Sequence, residues 1–441
     1  MANFVTRAAL LVALAAPTVF AQDADIKCSS GSPCPKDKPC CSQYGSCGVG
    51  AYCLGGCDPV SSFSLNACVP MPVCQPFDQD SFNNLDGFVK QDEYLGDPTD
   101  GAWVYSGEPV TSNGELWLTM ADGTVGTLIK STTAMWYGTF EASIRTSPGA
   151  GVVTAFIALG DSKDEIDFEF VGSQHLSAQT NFYSQGVTNY NNGKNITGQT
   201  DITADFHDYK IDWEPDTITW YIDGKEVRSL DRESTWNSTA GFYSYPQTPC
   251  QIQLSLWPAG LPSNGEGTIE WGGGLVDWNS PDMTNGYYHA DFKNIKTTCA
   301  ATPSGANVTG KTSYVFNDRS MTNQSVAITN NPTVLGSFQA SGLDMDFGKS
   351  QEKNTTGSIP GQSGGGPSAA GPVDNGDGGS STSDSGDGSS GTSPSGSAST
   401  GFVQGNGGMN NGASSTQIAP EQIMQGSLFA ALVAIVGLCV L

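Results

Sequence analysis

Three acidic residues lie two positions apart in the middle of the chain, in the segment Asp164-Glu-Ile-Asp-Phe-Glu-Phe170. Side chains alternate across a β-strand, so a strand here places Glu165, Asp167 and Glu169 on one face and apolar residues on the other. Two long glutamate side chains at the ends of such a row can lean toward one bound sugar. Retaining cleavage of a glycosidic bond needs two carboxyl groups about 5–5.5 Å apart. The pattern therefore predicts glycosidase chemistry, with one glutamate as nucleophile and the other as acid/base.

Two other interpretations of the three acids are a solvated edge face and a metal site. Like charges on neighbouring positions cost stability, so a purely structural strand seldom carries such a row. In the catalytic interpretation, Asp167 orients the nucleophile and couples the protonation equilibria of the three acids. The spacing alone does not tell which glutamate attacks. We expect His207 to shape the core or the groove floor, because the glutamate pair already supplies the proton chemistry.

Aromatic side chains give candidates for sugar binding, because sugar rings present apolar faces that stack on aromatic rings. The predicted substrate-binding residues are Tyr137, Tyr183, Trp257, Trp271 and Trp278. No metal or organic cofactor is implied.

The elements that must position these residues are short alternating runs bounded by Gly, Asp, Asn and Pro, such as Glu115–Met120 and Ile218–Ile222. Asp223-Gly224 reads as a tight hairpin turn. Many short strands with frequent turns favour an all-β fold, an antiparallel sandwich, over residues 77–300. The formal net charge of −25 argues against a nucleic-acid partner.

The acidic strand resembles the active-site strand of glycoside hydrolase family 16. Further matching segments are Trp136-Tyr-Gly138, Phe206-His-Asp-Tyr209, Trp220-Tyr-Ile-Asp-Gly224 and Leu254-Ser-Leu-Trp-Pro-Ala-Gly260. The last of these, with Trp271 and Trp278, is similar to the fungal Crh-type cell-wall transglycosylases. The resemblance implies a β-jelly-roll sandwich and a retaining mechanism. It also implies that Glu165 is the nucleophile, that Asp167 assists and that Glu169 is the acid/base.

Nine of the 12 cysteines fall between Cys28 and Cys74, in a part of the chain short of large aliphatic residues. Such a segment needs disulfides to fold. The run Cys40-Cys-Ser-Gln-Tyr-Gly-Ser-Cys-Gly48, followed by Tyr52-Cys53, resembles the hevein-like chitin-binding module (carbohydrate-binding family 18), here over residues 22–57. The resemblance implies the bridges Cys28–Cys41, Cys34–Cys47 and Cys40–Cys53, and it implies sugar contacts by Ser42, Tyr44 and Tyr52.

Ser46 occupies the position where this module family usually has a second loop aromatic. Residues 58–76 form a connector, and the partners of Cys57, Cys68 and Cys74 stay open. We expect Cys250 to pair with Cys299. Removal of the C-terminal tail with Cys439 leaves 11 cysteines, so one should remain unpaired.

Both ends of the chain carry targeting signals. Residues 1–21 predict a secretory signal peptide. Residues 301–412 are predicted to form a disordered Ser/Gly-rich stalk. Residues 413–441 are predicted to be a GPI-anchor propeptide, with attachment near Asn411 or Gly412; a tail-anchored span is the alternative. Sequons for N-glycosylation start at Asn195, Asn237, Asn307, Asn323 and Asn354.

With what the Crh-type resemblance implies, the predicted function is a secreted, GPI-anchored retaining transglycosylase of the fungal cell wall that transfers chitin to β-glucan. The alternatives are a hydrolytic β-glucanase or chitinase and a non-catalytic wall lectin. Chitin, β-glucan and the lipid anchor are the predicted partners, and the protein is expected to be a monomer.

Overall fold

The computed structural model describes residues 26–350 and 358–361. The predicted signal peptide, the anchor segment, Asn354 and Cys439 lie outside the described residues. Among the residues described, none of the helices has both the length and the apolar character that a membrane span requires.

The described residues form 24 strands, one short α-helix and five 3-10 helices. The strands up to the first long hairpins are β1 Cys40–Cys41, β2 Cys47–Gly48, β3 Met71–Pro72, β4 Phe77–Gln79, β5 Phe88–Lys90, β6 Trp103–Ser106, β7 Val110–Ser112, β8 Glu115–Ala121 and β9 Thr127–Ser131. Next come β10 Gly138–Arg145, β11 Val152–Gly160, β12 Glu165–Val171, β13 Ser177–Tyr183, β14 Lys194–Thr197, β15 His207–Trp213, β16 Thr217–Ile222 and β17 Lys225–Asp231. The last are β18 Trp236–Asn237, β19 Phe242–Tyr243, β20 Cys250–Pro258, β21 Tyr287–Cys299, β22 Asn307–Val308, β23 Ser313–Phe316 and β24 Val326–Thr329. Helix α1 is Glu266–Trp271, and the 3-10 helices are Gly50–Cys53, Leu65–Ala67, Tyr190–Asn192, Arg232–Thr235 and Asn323–Ser325.

Two eight-stranded sheets form the body of the protein. Sheet one has the order β17-β16-β15-β10-β21-β8-β7, with β4 paired to β21, and sheet two has the order β14-β13-β12-β11-β20-β9-β6-β5. Nearly all pairings are antiparallel, and β5–β6 is a parallel exception within sheet two. The hairpin turn between β16 and β17 is Asp223-Gly224, with positive φ at both residues as such turns require. The predicted all-β sandwich is confirmed.

The main core lies between the two sheets. In sheet two, Ile166, Phe168 and Phe170 of β12 are completely buried in this core. The alternation of β12 therefore places its acids on the opposite face of sheet two, away from the core. His207 lies on β15 of sheet one, where its ring contacts Asp223 and Thr200 at 2.7 and 3.0 Å, which agrees with the predicted structural role.

Five disulfides connect the described part of the chain. The three bridges expected in the N-terminal module, Cys28–Cys41, Cys34–Cys47 and Cys40–Cys53, are confirmed. Two further bridges are Cys57–Cys68 and Cys74–Cys299.

The expected Cys250–Cys299 pair is wrong. Cys250 is a buried free thiol at the start of β20, and Cys299, at the end of β21, reaches Cys74 instead. Sequence spacing could not find this partner, because 225 residues separate the two cysteines. One cysteine is left unpaired among the described residues, as the count predicted.

The folded region continues beyond the predicted start of the stalk. Residues 307–329 contribute β22, β23 and β24, which join β3 of the connector in a four-stranded sheet. Tyr314, Val326 and Ile328 of this sheet pack on the main core. The predicted boundary at residue 301 is therefore corrected, because this four-stranded sheet belongs to the folded part of the chain.

Candidate active site

The three acids lie together on the outer face of sheet two, which we call the acid face. Glu165, Asp167 and Glu169 occupy alternate positions of β12 and are 6, 1 and 8% exposed. The solvated-edge interpretation is therefore wrong, since β12 has β11 and β13 on its two sides and its acids are buried. They do not bring ligand atoms close enough together to share a metal ion.

Strand register shows which residues surround each acid. Tyr183 lies directly opposite Glu165, Asn181 opposite Asp167 and Gln179 opposite Glu169. These residues all point to the acid face, because directly paired residues share a face of the sheet.

The row through Asp167 continues across β11 and β20 to a further pair of polar residues. Ile157 pairs with both Asp167 and Gln253, and Gln253 pairs with Lys130 of β9. Gln253 is 1% exposed, and neither its amide nitrogen nor its amide oxygen has a hydrogen-bond partner among the described residues. Buried polar atoms without partners are costly, so this row is suited to a ligand rich in hydroxyl groups.

The pKa values of all three acids are raised, because burial disfavours the charged carboxylate. Burial raises the pKa of Glu165 to about 7, against an opposing hydrogen bond from Asp167. Burial, with the nearby charge of Glu165, raises the pKa of Glu169 to about 8. Burial, and then the charges of both glutamates, raise the pKa of Asp167 well above its ordinary value. Asp167 therefore holds a proton and donates it in a hydrogen bond to Glu165, while Glu169 keeps its own proton at neutral pH.

Asp164, just before the acid strand, is a supporting residue that sequence reasoning missed. Its Oδ2 accepts hydrogen bonds from the backbone N–H groups of Gln247 and Thr248 at 2.9 and 3.0 Å, and from the Thr248 hydroxyl at 2.8 Å. Its Oδ1 accepts from the N–H of Gln185 at 3.0 Å. Asp164 therefore joins the loop after β13 and the segment before β20 to the start of β12.

The residues beneath Asp167 were also missed. Trp220 Nε1 of sheet one donates to the backbone oxygen of Asp167 at 3.0 Å. Arg228 lies over the Trp220 ring at 4.5 Å and donates to the backbone oxygen of Thr180 at 2.8 Å. Its positive charge favours the ionised form of Asp167 and so opposes the rise in that pKa. A basic residue on an edge strand gives no signal of this role in the sequence.

The predicted sugar-binding aromatics separate into two groups. Tyr183 lies beside Glu165, and Trp257 stacks on Trp271 with ring centroids 6.2 Å apart. Trp271 Nε1 donates to Gln179 Oε1 at 3.0 Å, which places this pair on the Glu169 side of the acid face.

The other two aromatics lie elsewhere. Tyr137 has a positive φ of 66°, which turns its ring into the core against Trp213, so its predicted place in the groove is corrected. Trp278 packs against Tyr288 at the margin of the same core, and no contact joins it to the acids.

The predicted chitin-binding residues of the N-terminal module lie against the rest of the protein. Ser42 is 2% exposed, and Tyr44 and Tyr52 are partly buried. Tyr44 packs against the cluster that contains Trp257 and Trp271, and Tyr52 packs against a second apolar cluster.

Of the four predicted glycosylation sites that the structure describes, Asn195 and Asn307 are exposed, while Asn237 and Asn323 are partly buried.

Comparison with known proteins agrees with the chemistry of this face. The family model of glycosyl hydrolases family 16 matches residues 98–273, which include all three acids. Crh-like protein 2 of Aspergillus fumigatus is 53% identical over 343 residues, covering 77% of this chain and 77% of that protein. Congo red hypersensitive protein 2 of Saccharomyces cerevisiae is 41% identical over 325 residues, covering 73% of this chain and 69% of that protein.

Among solved structures, the Crh5 transglycosylase in complex with NAG is 29% identical, with a TM-score of 0.49, and the match covers 61% of this chain and 98% of that chain. An ionisable glutamate and a proton-holding glutamate on one strand can cleave a glycosidic bond with formation of an ester. The chain belongs to glycosyl hydrolase family 16, among the Crh-like proteins, and is a glycoside hydrolase or transglycosylase.

Proposed function

We propose that the protein is a retaining transglycosylase of the fungal cell wall that cleaves chitin and transfers the fragment to β-glucan. The observation that carries the proposal is the arrangement on β12, where Glu165 accepts a hydrogen bond from Asp167 and Glu169 has the higher pKa of the two glutamates. The glutamate that loses its proton first is suited to attack, and the one that keeps it is suited to protonate the leaving oxygen.

The reaction runs in two steps. In the first, a Glu165 oxygen forms a bond to the anomeric carbon while the glycosidic bond breaks and Glu169 gives its proton to the leaving oxygen. This produces a glycosyl ester on Glu165 and an ionised Glu169. In the second, Glu169 takes the proton of an acceptor hydroxyl, whose oxygen displaces Glu165 from the anomeric carbon.

The identity of the acceptor decides between transfer and hydrolysis. The low exposure of the acids limits the access of bulk water to the glycosyl ester. This burial supports transfer. Secretion through residues 1–21 and attachment by a GPI anchor near Asn411 or Gly412 remain part of the proposal, and they place the enzyme where new wall is assembled.

The experiment uses chitin oligosaccharides as donors and a fluorescent β-1,3-glucan oligosaccharide as acceptor. We expect label to move into longer, chitin-bearing products. Shortened donors without labelled products would indicate hydrolysis, and unchanged donors would indicate binding alone.

Two matched variants test the roles of the glutamates. Glu165→Gln should lower turnover by at least about a thousandfold with every donor. Glu169→Gln should still react with an aryl chito-oligosaccharide, whose leaving group needs no proton, and should accumulate an ester on the peptide that contains Glu165. Mass spectrometry of the digested protein locates this ester, and an ester on any other residue contradicts the assignment.

A further inference from the structure

The N-terminal module covers part of the acid face beyond β20. The backbone oxygen of Gly55 accepts a hydrogen bond from Lys130 Nζ at 3.1 Å. Leu54 of the module packs in one buried cluster with Val104 of β6, and Val104 is the residue paired with Lys130. The module therefore lies over β9 and β6 on this face, and Gln253 of β20 is the polar residue of the row that comes next to it.

Gln253 lies between the module and the three acids, and its carboxamide is unused by the fold. Neither Nε2 nor Oε1 has a hydrogen-bond partner among the described residues, and Asp167 Oδ1 in the same row also lacks one. Gln253 and Asp167 are both 1% exposed, so low exposure is a property of this whole row and not of Gln253 alone. A buried polar atom without a partner destabilises the folded state, so two of them on one side chain indicate a role outside folding.

The position of Gln253 determines which part of a substrate it can reach. Ile157 of β11 pairs with Asp167 on one side and with Gln253 on the other. Neighbouring strands lie about 4.8 Å apart, so Asp167 and Gln253 are about 10 Å apart. The reacting anomeric carbon must lie between Glu165 and Glu169. Gln253 is therefore too far away to contact that carbon, but a chain that crosses the strands brings a neighbouring sugar to it.

An apolar strip separates the acids from Gln253. Ala155, Ile157 and Leu159 of β11 form a buried cluster of their own, and strand register places them on the acid face. A pyranose ring has apolar faces and polar edges, and sugar sites place an apolar surface against the face and polar groups at the edge. The strip and the Gln253 carboxamide supply these two kinds of contact side by side.

We propose that Gln253 is a substrate-positioning residue that selects the donor by binding the N-acetyl group of a sugar next to the reacting one. A carboxamide has N–H donors and a carbonyl acceptor, and an acetamido group likewise has an N–H donor and a carbonyl acceptor. The two groups can therefore satisfy each other with two hydrogen bonds. A glucose unit has a single hydroxyl at that carbon and offers no second atom to complete the pair. The N-acetylated donor rests on the proposed function.

The first test measures the stability of the ligand-free protein by urea unfolding. Gln253→Met keeps nearly the same length and removes both polar atoms, which have no partner to lose. The variant should therefore unfold at a urea concentration at least as high as the wild type does. Gln79→Met, on β4 of sheet one, removes an amide that donates to the backbone oxygen of Ser81 at 2.9 Å, so this matched control should show no gain. A lower midpoint for Gln253→Met would mean that the amide supports the fold, which overturns the proposal.

The second test is a calorimetric titration of the full-length Glu165→Gln protein, in which no turnover disturbs binding. Chitohexaose is compared with cellohexaose, which has the same linkage and a hydroxyl in place of each acetamido group. Adding Gln253→Met should weaken chitohexaose binding about tenfold, as for two lost hydrogen bonds, and cellohexaose binding less than about twofold. Adding Gln79→Met should change neither affinity. An unchanged affinity for chitohexaose, or an equal loss for both ligands, overturns the proposal. If cellohexaose binds too weakly to measure, the chitohexaose affinity alone decides.

The third test measures transfer from chitohexaose in the otherwise wild-type protein. Gln253→Met should raise KM about tenfold and change kcat little, because Gln253 does not contact the reacting carbon. A fall in kcat with KM unchanged would contradict a positioning role in substrate binding and overturns the proposal. A wild-type protein that transfers nothing from chitohexaose refutes the proposed function, while the titration still decides the role of Gln253.

Discussion

Replacing Glu169 by glutamine should make the stability of the protein less dependent on pH. Burial and the charge of Glu165 raise the pKa of Glu169 from 4.5 to about 8. In the unfolded chain this carboxyl ionises near its ordinary pKa, whereas the folded protein keeps it protonated until the pH approaches 8. Because the unfolded state gains stability from ionisation that the folded state lacks, the free energy of unfolding falls as the pH rises between these two values.

The size of the effect follows from the pKa difference. One pKa unit corresponds to about 1.4 kcal/mol, so Glu169 alone lowers the free energy of unfolding by about 4–5 kcal/mol between pH 4.5 and pH 8. Glutamine has nearly the same shape and no charge, so Glu169→Gln removes this contribution. The free energy of unfolding of the variant, minus that of the wild type, should therefore be larger at pH 8 than at pH 4.5. The increase should be about 4–5 kcal/mol.

Urea unfolding followed by circular dichroism, with the disulfides intact, measures the two proteins at several pH values across this window. Glu141→Gln, the same substitution on β10 of sheet one, is the matched control and should follow the wild-type curve. Wild type and Glu169→Gln with parallel pH dependences would refute the argument, because Glu169 would then ionise alike in the folded and unfolded states.

Two further predictions concern residues beside the acids, and a third concerns a disulfide. Asp167→Ala removes the hydrogen bond that favours ionised Glu165, so the acid limb of the pH profile of kcat/KM should move to higher pH by about one unit. Asp167→Asn keeps an N–H donor, so it should leave the acid limb in place. Asp164→Asn places an N–H group against N–H donors. It should lower the free energy of unfolding, measured in urea, by about 3 kcal/mol and should also lower kcat. A variant as stable as the wild type would contradict this account. Cys74→Ser opens a bridge with a sequence separation of 225 and should lower the free energy of unfolding by about 4 kcal/mol, while Cys250→Ser, at a free thiol, should cost much less.

The acid-bearing strand β12 was predictable because its signal is local. The period-two pattern of β12 gives both the strand and the face of each residue, and burial of Phe168 on the other side is its direct consequence. The same pattern occurs in β20, where Gln251, Gln253 and Ser255 alternate with apolar residues. The alternation of β20 therefore predicts a row of polar side chains on one face of that strand. The sequence does not predict that this row lies on the same face as the acids of β12, because the two strands are far apart in the chain.

Features that depend on residues far away in the sequence could not be predicted. The spacing of cysteines could not pair Cys74 with Cys299, because that pairing is set by the connector crossing to the end of β21. Tyr137 follows a tryptophan in a segment that matches the family, yet its positive φ turns the ring into the core. The backbone angle of one residue thus decided between groove and core, and residue type alone does not determine that angle.

The position of the N-terminal module changes how its predicted chitin-binding residues should be understood. The sequence describes the module as a separate unit, since its disulfides all close within it or the connector. Its polar backbone groups at Gly55 and Gly56 are nevertheless satisfied by Lys130 and Asp161 of the sandwich, and an independent module would leave such groups to water. A module that closes its own disulfides but shares hydrogen bonds with the sandwich is held in one position against it.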